Sequence, residues 1–195
     1  KAIPVTILFD IKGDGRKKVR MCARGDLQEQ VYGETSSSVV NKTSLKILLT
    51  DAAIEDTDLT TFDFSQAFCN SPLPKGVRIF LKIPKGYRKQ DGTTYEKPMW
   101  WESMIWLYGQ VEAAYQWMLA LRWEIEDKGF RMSLKDEQVY TRMENGDRVS
   151  RIGVHVDDGI LSADKKTTKE VLDALGQKWP MKHETAKLYA GWDVS

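Results

Sequence analysis

Apolar residues recur along this chain in two rhythms, and the switch between them marks its elements. Residues 5–9 (VTILF), 19–23, 59–64 and 77–83 (VRIFLKI) are short apolar or alternating runs bounded by turn chemistry, and they predict strands. Residues 43–55 instead place Leu45, Leu48, Leu49, Ala52 and Ala53 at helical spacing, with Thr43 or Ser44 as N-cap. A second helix is expected from Glu112 to Lys128, stopped by Gly129. Thr167 and Glu170 form a capping box for a third helix that runs to Trp179, with Val171, Leu172 and Leu175 on one face. Asp10–Gly15 reads as a turn between the first two strands. Asn145-Gly146, between Val139–Met143 and Val149–Val156, is a strong hairpin signal. Hairpins and helices in this order predict an α+β fold and not a doubly wound sheet.

Composition narrows the classes. At 195 residues with 42% hydrophobic and 29% charged residues, the chain can bury a core as one domain, or one domain with a small subdomain. Cys22 and Cys69 are too few and too distant for a disulfide framework, so two free thiols in a reducing, intracellular compartment are expected. No apolar run approaches the roughly 18 residues of a membrane span, and the first residues lack a signal-peptide pattern. Asn41-Lys42-Thr43 therefore reads as an accidental glycosylation sequon. The ends read as those of a piece excised from something larger. A formal charge of +1 argues against a nucleic-acid binder, but only if the charge is spread evenly. It is not: residues 12–24 carry a local net of +5, residues 75–89 carry +6, and the remainder carries −10.

Three carboxylates carry the candidate chemistry. An apolar strand ending at Val156 runs into Asp157 and Asp158, and another leaves after Gly159. Adjacent acids at a tight turn concentrate negative charge, which a shared cation relieves; the plain alternative is a hairpin that uses Asp-Gly as its turn. Asp63 sits inside the apolar run 59–64, where an acid needs a partner or a place near solvent at the strand end. If the two segments pair, Asp63 and Asp157 can share divalent ions, and paired magnesium ions on carboxylates suit phosphoryl transfer. The loop after Asp10 half-resembles a calcium site, but Met21 stands where a bidentate Glu is required.

These segments, taken in order, resemble the reverse transcriptase of Ty1/copia-type long-terminal-repeat retrotransposons. Lys18-Val-Arg20-Met-Cys-Ala-Arg24-Gly25 resembles the family's Lys-Ala-Arg-Leu-Val-Ala-Arg/Lys-Gly stretch. Phe62-Asp63-Phe-Ser-Gln-Ala67-Phe68 is similar to its first catalytic motif, Asp-Val-x-x-Ala-Phe, and Pro84-x-Gly86-Tyr87 to its Pro-x-Gly-Phe/Tyr. Leu107-Tyr108-Gly109 with Ala113 and Trp117 resembles the Leu-Tyr-Gly-Leu-Lys-Gln-Ala-x-x-x-Trp block. His155-Val156-Asp157-Asp158 resembles Tyr-Val-Asp-Asp, and Leu188–Val194 is similar to Tyr-Phe-Leu-Gly-Ile-Glu-Val.

The resemblance implies a polymerase unit with fingers over residues 1–40 and 71–111. The palm would span 41–70 and 112–195, an antiparallel sheet backed by helices with a ferredoxin-like core; thumb and RNase H segments are absent. It implies that Asp63, Asp157 and Asp158 are the catalytic acids, binding two magnesium ions. Lys18, Arg20, Phe68 and Glu112 would contact the nucleotide, with Phe68 the ring that excludes a 2′-hydroxyl. Lys17, Arg24, Lys82 and Lys85 would contact nucleic acid, so the two basic stretches fall in the fingers; the other reading of those stretches is solvated edge strands. Implied partners are an RNA template, a DNA primer and deoxynucleotides, in the cytoplasm or nucleus.

Departures from the pattern open an alternative. His155 stands for the family's Tyr, and Gln110-Val111-Glu112 replaces Leu-Lys-Gln, so a carboxylate occupies the position of a nucleotide-positioning amide. The acids survive while the surrounding shell has drifted. That fits either an active polymerase core or a non-catalytic, domesticated domain acting as a subunit of a larger complex. Trp100, Trp101 and Trp106 form an aromatic cluster that is core, a partner surface or a base-stacking surface.

Overall fold

The chain builds, in order, β1 (Ile3–Ile11), β2 (Lys17–Ala23), α1 (Lys42–Ile54), β3 (Asp58–Phe64), β4 (Ile79–Ile83) and β5 (Met99–Ser103). There follow α2 (Ala113–Asp127), β6 (Arg131–Met132), β7 (Val139–Glu144), β8 (Asp147–His155) and β9 (Asp158–Ala163). The last elements are α3 (Lys165–Lys178), β10 (Met181–Thr185), β11 (Leu188–Tyr189) and β12 (Trp192–Asp193). This computed structural model describes all residues except 14, 30, 32, 90, 190, 191, 194 and 195, and only the backbone of 147–149, 188, 192 and 193. Asp14 of the first turn and the end of the Leu188–Val194 motif thus lie outside the described residues. The architecture is mixed α+β, as expected. Its two units are Lys1–Ser36 with Phe68–Trp117, and Ser37–Ala67 with Met118–Ser195.

The first unit holds a four-stranded sheet in the order β2-β1-β4-β5. β1 and β2 form the expected hairpin, in register from Val5 opposite Ala23 to Ile11 opposite Lys17. Along β4 the period of two is plain: Ile79, Leu81 and Ile83 are buried while Phe80 and Lys82 are exposed. The buried set packs with Ile3, Val5 and Trp106. Two glycines make a close crossing possible. The Ala23 N–H donates to the Tyr108 carbonyl at 2.7 Å. A Cβ on Gly109 (φ +87°) would lie 2.1 Å from the Ala23 carbonyl oxygen, and one on Gly25 would lie 2.0 Å from that of Gly109.

The second unit is a six-stranded antiparallel sheet, β10-β3-β9-β8-β7-β6. Leu45 and Leu48 of α1 pack with Val40, Ile160 and Tyr189. Arg151, buried on β8, ties the same helix down: its guanidinium donates to both Glu55 oxygens, at 3.0 and 2.8 Å, and lies 3.0 Å from Asp51. On the other face, the Trp179 ring at the end of α3 meets the edge of Phe64 at 5.7 Å.

The starts of α1 and α3 differ from expectation. The N-cap of α1 is Asn41, not Thr43 or Ser44; its Oδ1 accepts from Ser44 N–H at 2.8 Å. The buried Asp136 accepts from the Asn41 N–H and Nδ2, at 3.0 and 2.7 Å, so this sequon asparagine is fully engaged. Helix α3 begins at Lys165, with Asp164 as N-cap accepting from the Thr167 N–H and Oγ1. Thr167 is therefore a donor to the cap, and Glu170 pairs instead with Arg142. Asp outcompetes Ser and Thr here because its carboxylate accepts two donors at once.

Candidate active site

The hairpin between β8 and β9 is as tight as a hairpin can be. His155 and Asp158 are the last paired residues, leaving Val156 and Asp157 as the two-residue loop. Val156 takes φ +62°, a left-handed conformation that a β-branched side chain disfavours, so the turn holds local strain. Gly159 stands directly opposite Phe62, and a Cβ there would lie 2.3 Å from the Phe62 ring. The glycine after the paired acids thus leaves room for the aromatic ring of the neighbouring strand.

On β3, Phe62 and Phe64 are buried and Asp63 between them is exposed. The register sets Asp63 opposite Asp158. The Phe64 N–H donates to the Asp157 carbonyl at 2.7 Å, so main-chain bonds fix the strand that carries Asp63 against the turn that carries Asp157. Three candidate acids are thereby gathered at one end of one sheet. Burial raises the Asp158 carboxyl above its ordinary range; His155 opposes that, while Asp157 and Asp63 add to it by like-charge repulsion. The His155 Nδ1 lies 3.4 Å from Asp158 Oδ1. Lys182 on β10 stands opposite Asp63 on its other side, and sequence reasoning missed it.

The donor chemistry suits a hard divalent cation: carboxylate oxygens, crowded enough that one is held towards its neutral form. Among the described residues, no group of three or more His, Cys, Asp or Glu side chains stands arranged as a ready metal cage. The fit is thus one of donor type and proximity, not of a closed coordination shell.

The other candidates lie in the first unit. Lys17, Lys18 and Arg20 follow one another along β2, opposite Ile11, Asp10 and Leu8; Lys17 is exposed and the other two are half-buried. Arg24 is occupied by Asp26, which accepts from its Nε and Nη2 at 2.8 and 2.7 Å. Lys82 on β4 and Lys85 just after it are exposed. Phe68 is half-buried, its ring 4.8 Å from that of Tyr108. Glu112 has no exposed surface and accepts from the Gln28 amide at 2.7 Å. With no surface of its own, the Glu112 carboxylate holds its neighbours in this structure. Gln28 was not foreseen, since nothing in its local pattern marks a partner 84 positions away.

Residues 1–195 match the family described as "Reverse transcriptase (RNA-dependent DNA polymerase)". Among curated proteins, the chain is 28% identical over 180 residues to the retrovirus-related Pol polyproteins from transposons RE2 and RE1 of Arabidopsis thaliana. Each alignment covers 90% of this chain and 12% of the polyprotein. It is 25% identical over 183 residues to the Pol polyprotein from transposon TNT 1-94 of Nicotiana tabacum, covering 90% of this chain and 13% of that protein. The chain therefore spans 12–13% of the length of these relatives.

Proposed function

Because the chain belongs to the reverse transcriptase family, in its Ty1/copia branch, we propose that it is the core of an RNA-directed DNA polymerase. It extends a DNA primer on an RNA template. The observation that carries this reading is the pairing of Asp63 with Asp158 across β3 and β9, with Asp157 on the adjoining turn. In this reading the second unit is the palm, its antiparallel sheet backed by helices around a ferredoxin-like core, and the first unit is the fingers.

The primer 3′-hydroxyl attacks the α-phosphate of a deoxynucleotide; the new P–O bond forms as the bond to pyrophosphate breaks. Asp63, Asp157 and Asp158 would hold two magnesium ions, which would supply neutralisation of the negative charge that develops during the transfer. Lys18 and Arg20 hold the triphosphate, where fixed cations offset developing negative charge. Phe68, a planar ring braced by Tyr108, excludes the 2′-hydroxyl of ribonucleotides. Lys17, Lys82 and Lys85 hold backbone phosphates. Glu112 acts through Gln28, bracing the first unit and not touching the nucleotide.

Primer extension on poly(rA)/oligo(dT) with magnesium tests the reading. Wild type extends the primer, and Asp157→Asn lowers extension to background. A second reading, a non-catalytic domain serving as subunit of a larger assembly, is favoured by the burial of Glu112 where the family has a nucleotide-positioning amide. Absence of extension by folded wild type, together with recovery of the chain in a stable complex, would establish it instead.

A further inference from the structure

The tryptophan cluster separates into three environments. Trp106 is buried in the core of the first unit. Trp101 is half-buried, its ring meeting Tyr87 and Tyr95 edge-on at 5.5 and 6.3 Å. Trp100 is 62% exposed on the edge strand β5, and no ring or hydrogen bond holds it among the described residues. An exposed indole at a sheet edge keeps a large, flat apolar surface in water and open to a ligand.

Trp100 forms a wall of a cleft of about 460 Å³, whose other walls include Pro4, Leu27 and Lys82. That volume lies within the range of small-ligand sites, about 300–1,000 Å³. Lys82 stands directly opposite Trp100 in the β4–β5 register. The charges around them are nearly all compensated. The cleft's acids, Asp26 and Glu29, are paired with Arg24 and Lys1, and Arg78 on β4 is paired with Glu102. Lys82 alone in this cleft has no ion-pair partner among the described residues, so the uncompensated charge is positive. The stretch 75–89 to which it belongs carries no acid.

We propose that this cleft binds one nucleotide of a single-stranded nucleic acid, with its base stacked on Trp100 and its phosphate held by Lys82. The chemistry is complementary on both counts. A flat exposed ring accepts any base face, and a lone ammonium beside it matches the one anionic charge per nucleotide. An aromatic platform next to a phosphate anchor binds without sequence preference, as a surface that follows a template must. The inference deepens the polymerase reading and relies on it for the kind of ligand, but it needs no catalysis.

It is tested by fluorescence anisotropy with labelled single-stranded oligo(dT) and oligo(rA), on the whole chain with neither magnesium nor nucleotide. Trp100→Ala weakens binding about tenfold or more, while Trp100→Phe, which keeps a ring, retains most of it. Lys82→Gln weakens binding and reduces the slope of log affinity against log salt by about 0.7. Trp123→Ala removes a tryptophan that is 72% exposed in the second unit and leaves affinity unchanged. Wild-type affinity in Trp100→Ala, or equal losses in Trp100→Ala and Trp123→Ala, overturns the proposal. So does unchanged oligonucleotide binding accompanied by loss of a protein complex, which assigns the surface to a protein partner. Because this assay contains neither magnesium nor nucleotide, a failure of catalysis and a failure of the cleft are read separately.

Discussion

The two units present their chemistry in opposite ways. In the second, the candidate acids sit on short side chains whose positions follow from strand register: Asp63 opposite Asp158, and Asp157 clamped through its carbonyl to the Phe64 N–H. In the first, the candidate ligand-binding groups are long cationic side chains and an exposed indole on a four-stranded sheet. Chemistry that demands fixed oxygens is placed where the backbone leaves little choice. In the proposed reading, contacts to phosphate, which tolerate a range of geometries, fall to side chains that reach.

The supports differ as well. The second unit depends on a charge buried beneath α1, the first on a crossing where two glycines let main chains touch. The sharpest way to break the second unit is to strip Arg151 of both partners. Asp51→Asn with Glu55→Gln leaves a guanidinium whose side chain is 5% exposed without a counter-charge, at a cost of about 3–5 kcal/mol. Arg151→Met, which removes the charge itself, costs distinctly less. Urea unfolding followed by tryptophan fluorescence measures both, and a double variant within about 1 kcal/mol of wild type refutes the support assigned to Arg151.

In the first unit the corresponding change is Gly109→Ala. Its Cβ meets a carbonyl oxygen at 2.1 Å on a backbone with φ +87°, so both strain and overlap oppose it, by upwards of about 2 kcal/mol. Gly146→Ala serves as the contrast: it also has positive φ (+90°) but meets nothing within 4 Å, and it loses only the conformational part. If the two substitutions cost the same in unfolding experiments, the crossing contributes nothing beyond backbone strain.

Legibility in the sequence follows burial. β3, β4 and the three helices announced themselves because each packs one apolar face on a core, and the β1–β2 and β7–β8 hairpins did so through the turn chemistry between apolar runs. β10 did not: Met181–Thr185 has four exposed residues of five and no apolar alternation, so Lys182 opposite Asp63 went unseen. β5 was hidden in an aromatic run that does not alternate. The cap of α1 was hidden because Asp136, which secures Asn41, lies 95 positions along the chain; the cap of α3 was local, in Asp164 three residues before Thr167. The acids themselves were legible as residue types beside apolar strands, but their pairing depends on which strands become neighbours, and β3 and β9 lie far apart in the sequence.

The smallest effect probes the acids directly. The Asp158 carboxyl is raised above its ordinary value of 3.8, first by burial, then by Asp157 and Asp63, against the opposing pull of His155. A carboxyl raised in this way is one whose charged form the fold disfavours. Its contribution to stability is complete below the unfolded value and is lost as pH climbs through the raised one. Asp158→Asn keeps the shape and cannot ionise, so without divalent ions it melts above wild type at pH 7, and the gain shrinks towards zero as pH falls below 3.8. Added magnesium should then raise the melting temperature of wild type and leave that of Asp158→Asn nearly where it was. Thermal scans in EDTA and in magnesium from pH 3 to pH 8 measure both effects. A variant that melts below wild type at pH 7 in EDTA would show that His155 outweighs the neighbouring acids, and that the second unit does not store the repulsion a divalent cation would relieve.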